Sequence, residues 1–329
     1  MRDIFDRGPL MLILDGGSTS IADFLPNPRP SIPAHLDRVW TAAYPQIAPD
    51  AVFEWHKSFL DAGADIIITD TYQIPLARDL PDANLPGLIH SAVAIAHQAI
   101  LDHGKGSIAL SLGTRNAHSG KGEYAIEPQA SIAEYKEFHT EKLHEFYSAV
   151  GELWEEVRYL AFETVSSFEE ATAILEVLRR AEEYTYDKKA WITFSCGDGS
   201  SSRMKNIVSR LLNSKDISHL WGIGFNCVGI DIVKNLAEML DRELEGSNLR
   251  MILYPDAGRW IERTTAQFTY DTKPSKDEDV QNWAECLAQL GSLNGGAVVL
   301  GGCCNSDSRF ITALAKATKN KTESISEGN

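Results

Sequence analysis

The sequence predicts a single-domain α/β protein built as a (β/α)8 barrel. Eight short apolar runs recur along the 329 residues, and stretches of helical periodicity separate most of them. The runs do not alternate polar with apolar residues, which is typical of parallel strands that are buried on both faces. Eight strand–helix units over about 300 residues match the size of such a barrel. A doubly wound open sheet is the alternative fold, although no G-x-G-x-x-G motif follows the first run.

The elements follow one another in a regular order. The predicted strands are Met11–Asp15, Ala64–Asp70, Ser107–Gly113, Arg158–Glu163, Ala190–Cys196, Leu220–Asn226, Arg250–Pro255 and Ala297–Gly301. The predicted helices include Ala51–Ala62, Leu85–His103, Ile132–Val150, Ser167–Ala181, Met204–Asn213, Ile232–Glu243 and Val280–Leu290. Two long segments, 17–49 and 262–279, show no strand pattern and are predicted to be connections, the first of them a loop over the top of the barrel. We assign residues 1–318 to the barrel and 319–329 to a polar tail that is predicted to fray.

Composition and charge exclude several classes of function. A net charge of −15 without a basic stripe argues against a nucleic-acid or anionic-membrane partner. No apolar run reaches membrane-spanning length, and the first residues do not have the pattern of a signal peptide. Five cysteines, an odd and sparse set, argue against a secreted disulfide framework. We therefore expect a cytoplasmic protein, and composition leaves a homo-oligomer open.

Polar residues end almost every predicted strand. The strand ends are Asp15-Gly16-Gly17, Thr69-Asp70-Thr71-Tyr72-Gln73, Glu163-Thr164, Ser195-Cys196, Asn226-Cys227, Tyr254-Pro255-Asp256 and Cys303-Cys304. Active sites of (β/α)8 barrels lie where the strands end. These residues are therefore the candidates for the functional site.

Three of the five cysteines follow two of these strands. Cys227 ends the sixth strand, and Cys303 and Cys304 follow the eighth, so the three sulfurs could converge across a small barrel. Thiolates favour zinc or copper(I) over magnesium or calcium, and three protein ligands with an open fourth position are typical of a catalytic zinc site. The alternatives for Cys303-Cys304 are a pair of small core residues or a strained vicinal disulfide. Cys196 and Cys286 are interpreted as packing residues.

An ordered set of motifs resembles the zinc-dependent homocysteine S-methyltransferases, from about Leu12 to Leu314. The motifs are Asp15-Gly16-Gly17, Trp40-Thr41-Ala42, His56 with Ala62-Gly63-Ala64-Asp65, Thr69-Asp70-Thr71-Tyr72-Gln73, Gly122-Glu123-Tyr124, Phe162-Glu163-Thr164, Phe194-Ser195-Cys196, Asn226-Cys227, Tyr254-Pro255 and Gly301-Gly302-Cys303-Cys304. A double cysteine alone is weak evidence. The double cysteine occurs here in the family's order with the other motifs, including the distant Asn226-Cys227, and this ordered set makes the resemblance specific.

The resemblance implies a cofactor, two substrates and a set of site residues. Cys227, Cys303 and Cys304 would hold Zn²⁺, and the sulfur of homocysteine would take the open position. Asp15 and Glu163 would hold the substrate's amino group, unless they are ordinary cap or loop carboxylates. The further substrate-binding candidates are Gly16, Gly17, Thr71, Tyr72, Ser195 and Asn226. No catalytic side chain is required beyond the activated substrate thiol, and His56, within a helix, is interpreted as structural.

The implied methyl donor is a sulfonium cation, S-methylmethionine or S-adenosylmethionine, and the product is methionine. Such a cation suits an aromatic pocket, for which Trp40, Tyr72, Tyr124 and Tyr254 are candidates, with core packing as the alternative for each. The sequence departs from the family pattern in two loops, where Arg115 and Arg259 stand near the predicted pocket. Cations there oppose a cationic donor unless they point away, pair with acids or bind a carboxylate.

Two other functions stay open on the sequence. The same zinc-dependent transfer could act on another small thiol or on a selenol such as selenocysteine. A zinc-binding or redox-sensing barrel without catalysis is the second alternative, in which Cys303 and Cys304 would cycle between thiol and disulfide.

Overall fold

The computed structural model describes residues 11–115, 117, 128–196, 198–257, 260–264, 267–270 and 275–326. The barrel strands are β1 (Met11–Ile13), β2 (Ile66–Ile68), β3 (Ser107–Leu112), β4 (Val157–Val165), β5 (Lys189–Phe194), β6 (Gly222–Gly229), β7 (Arg250–Asp256) and β10 (Val298–Leu300). They form one parallel eight-stranded sheet in the order β1-β10-β7-β6-β5-β4-β3-β2. All eight predicted strands are therefore confirmed.

The two end strands of this sheet meet, which closes the barrel. Leu14 forms a parallel bridge with Ile66, the Asp15 N–H donates to the Ile66 carbonyl (3.0 Å), and the Asp65 N–H donates to the Ile13 carbonyl (2.8 Å). Closure removes the exposed edges that an open sheet would leave. The (β/α)8 prediction is confirmed, and the open-sheet alternative is wrong.

Helices cover the outer face of the strands. They are α1 (Tyr44–Ile47), α2 (Pro49–Asp61), α3 (Leu85–His103), α4 (Ile132–Val150), α5 (Phe168–Arg180), α6 (Glu182–Thr185), α7 (Ser201–Leu212), α8 (Ile230–Glu243), α9 (Asp277–Gln289) and α10 (Ser308–Ser326). Side-chain caps begin several of them; Ser131 and Glu134, for example, form a reciprocal capping box at α4. None of the helices among the described residues is long and apolar enough to cross a bilayer.

The core has two layers. A large cluster fills the space between the strands and the helices, and a smaller one fills the barrel interior with Tyr159, Trp191, Trp221, Tyr254 and small aliphatic residues. Bulky rings inside the barrel make it a packed core with a mouth at each end.

Three connections differ from the predicted ones. The 17–49 segment contains helical turns at Ser18–Asp23 and Ala34–Ala43 before α1. The 262–279 segment, predicted to have no strand, contributes to an antiparallel hairpin of β8 (Trp260–Thr264) and β9 (Gln267–Tyr270). The tail expected to fray from Lys319 continues as α10 to Ser326.

A candidate thiolate metal centre

A cavity of about 270 Å³ opens at the carboxyl ends of the strands. Its wall is formed by Gly16, Gly17, Ser18, Thr19, Trp40, Thr41, Trp55, Ile68, Thr69, Asp70, Tyr72, Gln73, Ser111, Glu163, Thr164, Asn226, Cys227, Tyr254, Gly302, Cys303 and Cys304. Ser18, Thr19, Trp40 and Thr41 belong to the 17–49 segment, which therefore forms part of the wall.

Three cysteines cluster in this wall. The Cys227 Sγ lies 2.6 Å from the Cys303 Sγ and 4.0 Å from the Cys304 Sγ. One ligand atom from each cysteine and one carboxylate oxygen of Asp256 all lie within 4.8 Å of one another. The structure therefore brings together the three cysteines that the sequence singled out, from the ends of β6 and β10.

The loop after β10 is held by main-chain hydrogen bonds from both sides. The Cys303 N–H donates to the Pro255 carbonyl (2.9 Å), and the Ala257 N–H donates to the Cys304 carbonyl (2.9 Å). On the other side, the Gly17 N–H donates to the Ser306 carbonyl (3.1 Å). A Cβ atom at Gly17 would overlap the Cys303 carbonyl, so only glycine permits this close approach.

Two residues near the ends of β4 and β6 have a strained backbone conformation. Thr164 and Cys227 end β4 and β6 with φ of 60° and 49°, the left-handed region that non-glycine residues rarely adopt. Asn226 holds the first of them: its Oδ1 accepts from the Thr164 N–H (2.9 Å), and its Nδ2 donates to the Thr164 Oγ1 (2.8 Å). Each such conformation costs about 1–3 kcal/mol and persists where the surroundings enforce it. Cys227, whose sulfur lies beside that of Cys303, is thus a strained residue in the wall of the cavity.

The donor set fits a soft cation. Hydrogen bonding to Cys303 and Cys304, followed by burial, raises the pKa of Cys227 well above its usual range. Three crowded thiolates can therefore coexist only when a cation balances their charge. Cysteine-rich sets favour zinc or copper(I), and a carboxylate oxygen also ligates zinc. The cluster is a candidate metal site on its own chemistry.

Asp256 is a residue whose role the sequence interpretation missed. It closes β7, is buried, and is the one carboxylate in the cluster among the described residues. The available signal was its place after Tyr254-Pro255, at a predicted strand end. Asp256 was among the strand-end candidates but was not predicted to be a metal ligand.

Two predicted carboxylates lie at different depths. Glu163 lines the cavity and accepts a hydrogen bond from the Ser111 hydroxyl; burial raises the pKa of Glu163 to about 7. Asp15 is fully buried behind the wall, where its Oδ2 accepts from the Ile68 N–H (2.7 Å). Burial above all raises the pKa of Asp15 well above its usual range. Glu163 therefore borders the cavity, whereas the Asp15 Oδ2 holds the end of β2 behind it.

Asp70 is the third carboxylate, and the sequence interpretation gave it no role beyond its motif. It lines the cavity, and its Oδ1 accepts from the Thr41 Oγ1 (2.9 Å). Its buried Oδ2 has no hydrogen-bond partner among the described residues. Burial raises the pKa of Asp70 to about 7. Its strand-end position made Asp70 a candidate, but nothing in the sequence signalled its burial or its partner Thr41.

The other predicted substrate residues divide into two groups. Gly16, Gly17, Tyr72 and Asn226 line the cavity. Thr71 and Ser195 are buried outside the wall. The Thr71 hydroxyl donates to the Ser111 carbonyl (2.8 Å) and pairs with the Thr69 hydroxyl, so its position indicates a structural role. The Ser195 N–H donates to the Val165 carbonyl (3.1 Å), which ties it to β4.

Aromatic rings form much of the remaining wall. Trp40, Tyr72 and Tyr254 line the cavity as candidates, Trp55 joins them, and Tyr124 lies outside the described residues. Trp40 is half-exposed at the rim, whereas Tyr254 is buried with its hydroxyl 2.6 Å from the Thr193 Oγ1. The wall therefore has one aromatic ring, that of Trp40, near solvent and another, that of Tyr254, in its buried part.

Cationic side chains are missing from the described part of this wall. No Lys, Arg or His lines the cavity among the described residues. The Arg115 N–H donates to Glu170 (3.4 Å), and its guanidinium acts electrostatically on Glu134 at the start of α4. Arg259 lies outside the described residues. The conflict expected between Arg115 and a cationic ligand therefore does not arise.

The remaining cysteines and His56 have other environments. Cys196 is buried, and burial raises its pKa to about 11, consistent with a packing residue. Cys286 lies in α9 but is exposed, so its interpretation as a packing residue is wrong. His56 is buried in α2 against Trp55, with ring centroids 4.5 Å apart, and burial lowers its pKa to about 3. A neutral, packed His56 agrees with the structural role predicted for it.

Fold and site together define a (β/α)8 barrel enzyme with a thiolate-rich candidate metal centre. The chain belongs to the homocysteine S-methyltransferase family, whose model matches residues 12–318. It is 28% identical to homocysteine S-methyltransferase 1 of Zea mays, over 98% of each chain. It is 29% identical to homocysteine S-methyltransferase YbgG of Bacillus subtilis, over 85% of this chain and 87% of that one.

A solved structure supports the fold. The metallated form of the homocysteine methyltransferase MmuM from Escherichia coli superposes with a TM-score of 0.70 at 24% identity, covering 96% of this chain and 98% of that chain. The family resemblance expected from the motifs is thus confirmed.

Proposed function

We propose that this protein transfers a methyl group from a sulfonium donor to the thiol of homocysteine, in a zinc-dependent reaction that yields methionine. One observation carries the proposal: the three-cysteine cluster lies in a cavity whose described wall is acidic and aromatic and holds no cationic side chain. A thiol acceptor needs the first feature, and a cationic donor needs the second.

Cys227, Cys303 and Cys304 would hold the zinc ion, and Asp256 is the carboxylate within reach of the same place. Zinc in such a site stabilises a substrate thiolate near neutral pH, where a free thiol is mostly protonated. The five cysteines are free thiols, so a reducing compartment such as the cytoplasm suits the protein.

The donor class follows from the charge of the wall. Glu163 and Asp70 face the cavity, and opposite charges attract strongly where water is excluded. The rings of Trp40 and Tyr72 can contact a sulfonium centre by cation–π attraction. An anionic or neutral methyl donor would gain nothing from this arrangement.

The reaction balances without a catalytic base. The homocysteine thiol loses its proton to solvent on binding, and its sulfur attacks the methyl carbon of the sulfonium. One carbon–sulfur bond forms while the donor's carbon–sulfur bond breaks, and both products are neutral thioethers. The protein's part is to align the two sulfurs, which removes much of the entropic barrier. Glu163 is placed to bind the amino group of homocysteine and thereby orient it.

The test is zinc content and turnover in a pair of variants. Protein purified under reducing conditions should carry about one zinc per chain and methylate homocysteine with S-methylmethionine or S-adenosylmethionine. Cys303→Ser should lose most of the zinc and the turnover, because one ligand is gone. The matched control is Cys286→Ser, which changes an exposed cysteine outside the cluster and should keep both.

Two results would contradict the proposal. If the parent protein neither contains nor takes up zinc, the proposed metal site is wrong. A zinc-loaded parent that turns over neither sulfonium donor with homocysteine, but methylates a different thiol or a selenol, reassigns the acceptor. Competition between homocysteine and selenocysteine measures that choice directly.

A further inference from the structure

A second cavity, of about 260 Å³, opens at the opposite end of the barrel. Its lining residues begin the strands instead of ending them: Lys189 and Arg250 are the first residues of β5 and β7, and Arg158 is the second residue of β4. The packed interior of the barrel separates this amino-terminal mouth from the cysteine cluster. It is therefore a distinct site.

The charge of this mouth is opposite to that of the whole chain. Lys105, Arg158, Lys189 and Arg250 line it, and among the described residues Asp65 is its one acidic residue. Asp65 is already engaged, since its Oδ2 accepts from the Ile13 N–H (2.9 Å). Four cations around one small cavity are unexpected in a protein with a net charge of −15.

Two of the cations are held in place by an aromatic ring. The Arg250 guanidinium carbon lies 5.0 Å from the centre of the Trp221 ring, and the Lys189 Nζ lies 5.6 Å from it. Arg250 is only 7% exposed. Trp221 thus holds two positively charged groups beside one cavity, so positive charge is concentrated there.

We propose that the amino-terminal mouth binds a small polyvalent oxyanion that carries phosphate or carboxylate groups. Arginine presents paired N–H donors that match the oxygens of both groups, and lysine adds point charges. The cavity is slightly smaller than pockets for drug-sized ligands, about 300–1,000 Å³, so a compact anion fits. This inference does not depend on the proposed function of the other mouth.

Isothermal titration of the zinc-loaded protein with inorganic phosphate, and separately with succinate, tests the proposal. Both probes are compact dianions that chelate zinc weakly, and low ionic strength keeps exposed charges unscreened. Saturable binding of one anion per chain is expected for at least one probe. Phosphate alone indicates a phosphorylated ligand, succinate alone indicates a dicarboxylate, and both together indicate recognition by charge.

Variants locate the binding. Lys189→Met and Arg250→Met should each weaken it about tenfold or more, because each removes a charge-assisted hydrogen bond. Arg250 is buried, so Arg250→Met can destabilise the fold. Lys105 is exposed, so Lys105→Met tests the same cavity without that risk. The control is Lys234→Met, an exposed lysine on α8, which should bind like the parent. Absence of saturable binding with both probes, or unchanged binding in Lys189→Met and Lys105→Met, overturns the proposal.

Discussion

The two mouths of this barrel carry opposite chemistry. At the carboxyl ends of the strands, sulfur and carboxylate groups face a cavity without described cations; at the amino ends, four cations surround a cavity with one described acid. The two cavities have nearly equal volumes, about 270 and 260 Å³. Size alone therefore does not distinguish them, whereas the residues at the strand ends do.

The two ends of the barrel thus carry separate sets of chemical groups, and a packed interior lies between them. Tyr159, Trp191 and Tyr254 fill the interior between the mouths and belong to one continuous cluster. Residues that have no shared partners and lie far apart usually act additively on stability. Changes at one mouth should therefore leave the properties of the other nearly intact.

Metal removal gives the largest expected effect. Extraction of zinc with a chelator should lower kcat/KM at least about 10³-fold, because loss of thiolate stabilisation costs several kcal/mol. Anion binding at the amino-terminal mouth should not change, and readdition of zinc should restore turnover. Turnover assays and phosphate or succinate titrations on the same samples provide the measurement; loss of both properties together would break the separation of the two ends.

Glu163→Gln should give the next largest effect. Because Glu163 is proposed to bind the amino group, this substitution should lower kcat/KM for homocysteine about 10- to 100-fold, since hydrogen bonds to charged groups contribute about 1.5–3 kcal/mol. Steady-state kinetics with each substrate varied in turn measure this. The control is Asp65→Asn at the other mouth, which keeps an oxygen acceptor for the Ile13 N–H and should retain parental kinetics.

Asp70→Asn should have a moderate effect that falls on the methyl donor. Above a pH of about 7, where Asp70 is ionised, removing its negative charge from the wall should raise KM for the sulfonium donor about tenfold and leave KM for homocysteine nearly unchanged. The amide still accepts from Thr41 and keeps the side-chain shape. An equal change for both substrates would contradict a donor-side role for Asp70.

The same substitution should change the pH dependence of stability. Burial raises the folded-state pKa of Asp70 from 3.8 to about 7, so the folded state binds a proton that the unfolded state releases between these values. Stability from this group is present at low pH and is lost as pH rises through about 7. Asp70→Asn should therefore exceed the parent in Tm above that pH and approach it in acid, as thermal melts across the range would measure.

Arg158→Met should give the smallest catalytic effect. Arg158 is exposed at the amino-terminal mouth, away from the cysteine cluster. We expect kcat/KM within about twofold of the parent, because surface substitutions usually change little, together with weaker anion binding. A large fall in turnover with zinc content intact would show that the two mouths are coupled.

Much of the fold could be predicted because its signals are local. The bounds of Leu85–His103 and Ile132–Val150 were predicted as observed, since apolar periodicity and capping residues mark them. The β8–β9 hairpin was missed because it lies in a polar stretch without an apolar run. The continuation of α10 past Lys319 was missed because its last turns are polar and carry no apolar face.

The site could be predicted in part for a similar reason. Sulfur is rare and distinctive, so Cys227, Cys303 and Cys304 were singled out from their strand-end positions. Asp70 and Asp256 were among the strand-end candidates but were given no role, because carboxylates are common and only burial distinguishes these two from many solvated ones. Thr71 belongs to a motif that matches the family and was predicted to bind substrate. Its hydroxyl instead donates to the Ser111 carbonyl within the barrel wall.

The order of strands and helices along the chain, the ligand atoms available to a metal and the resemblance to a family could be predicted from the sequence, because apolar periodicity and residue chemistry are properties of the chain. The folded structure was needed to show how close the sulfurs lie, that Asp256 joins them, and that Arg115 acts on Glu134 in α4. It also decided that Lys189 and Arg250, distant in sequence, share a cavity. Distance, burial and the resulting electrostatics arise only when separate strand ends meet around a closed barrel.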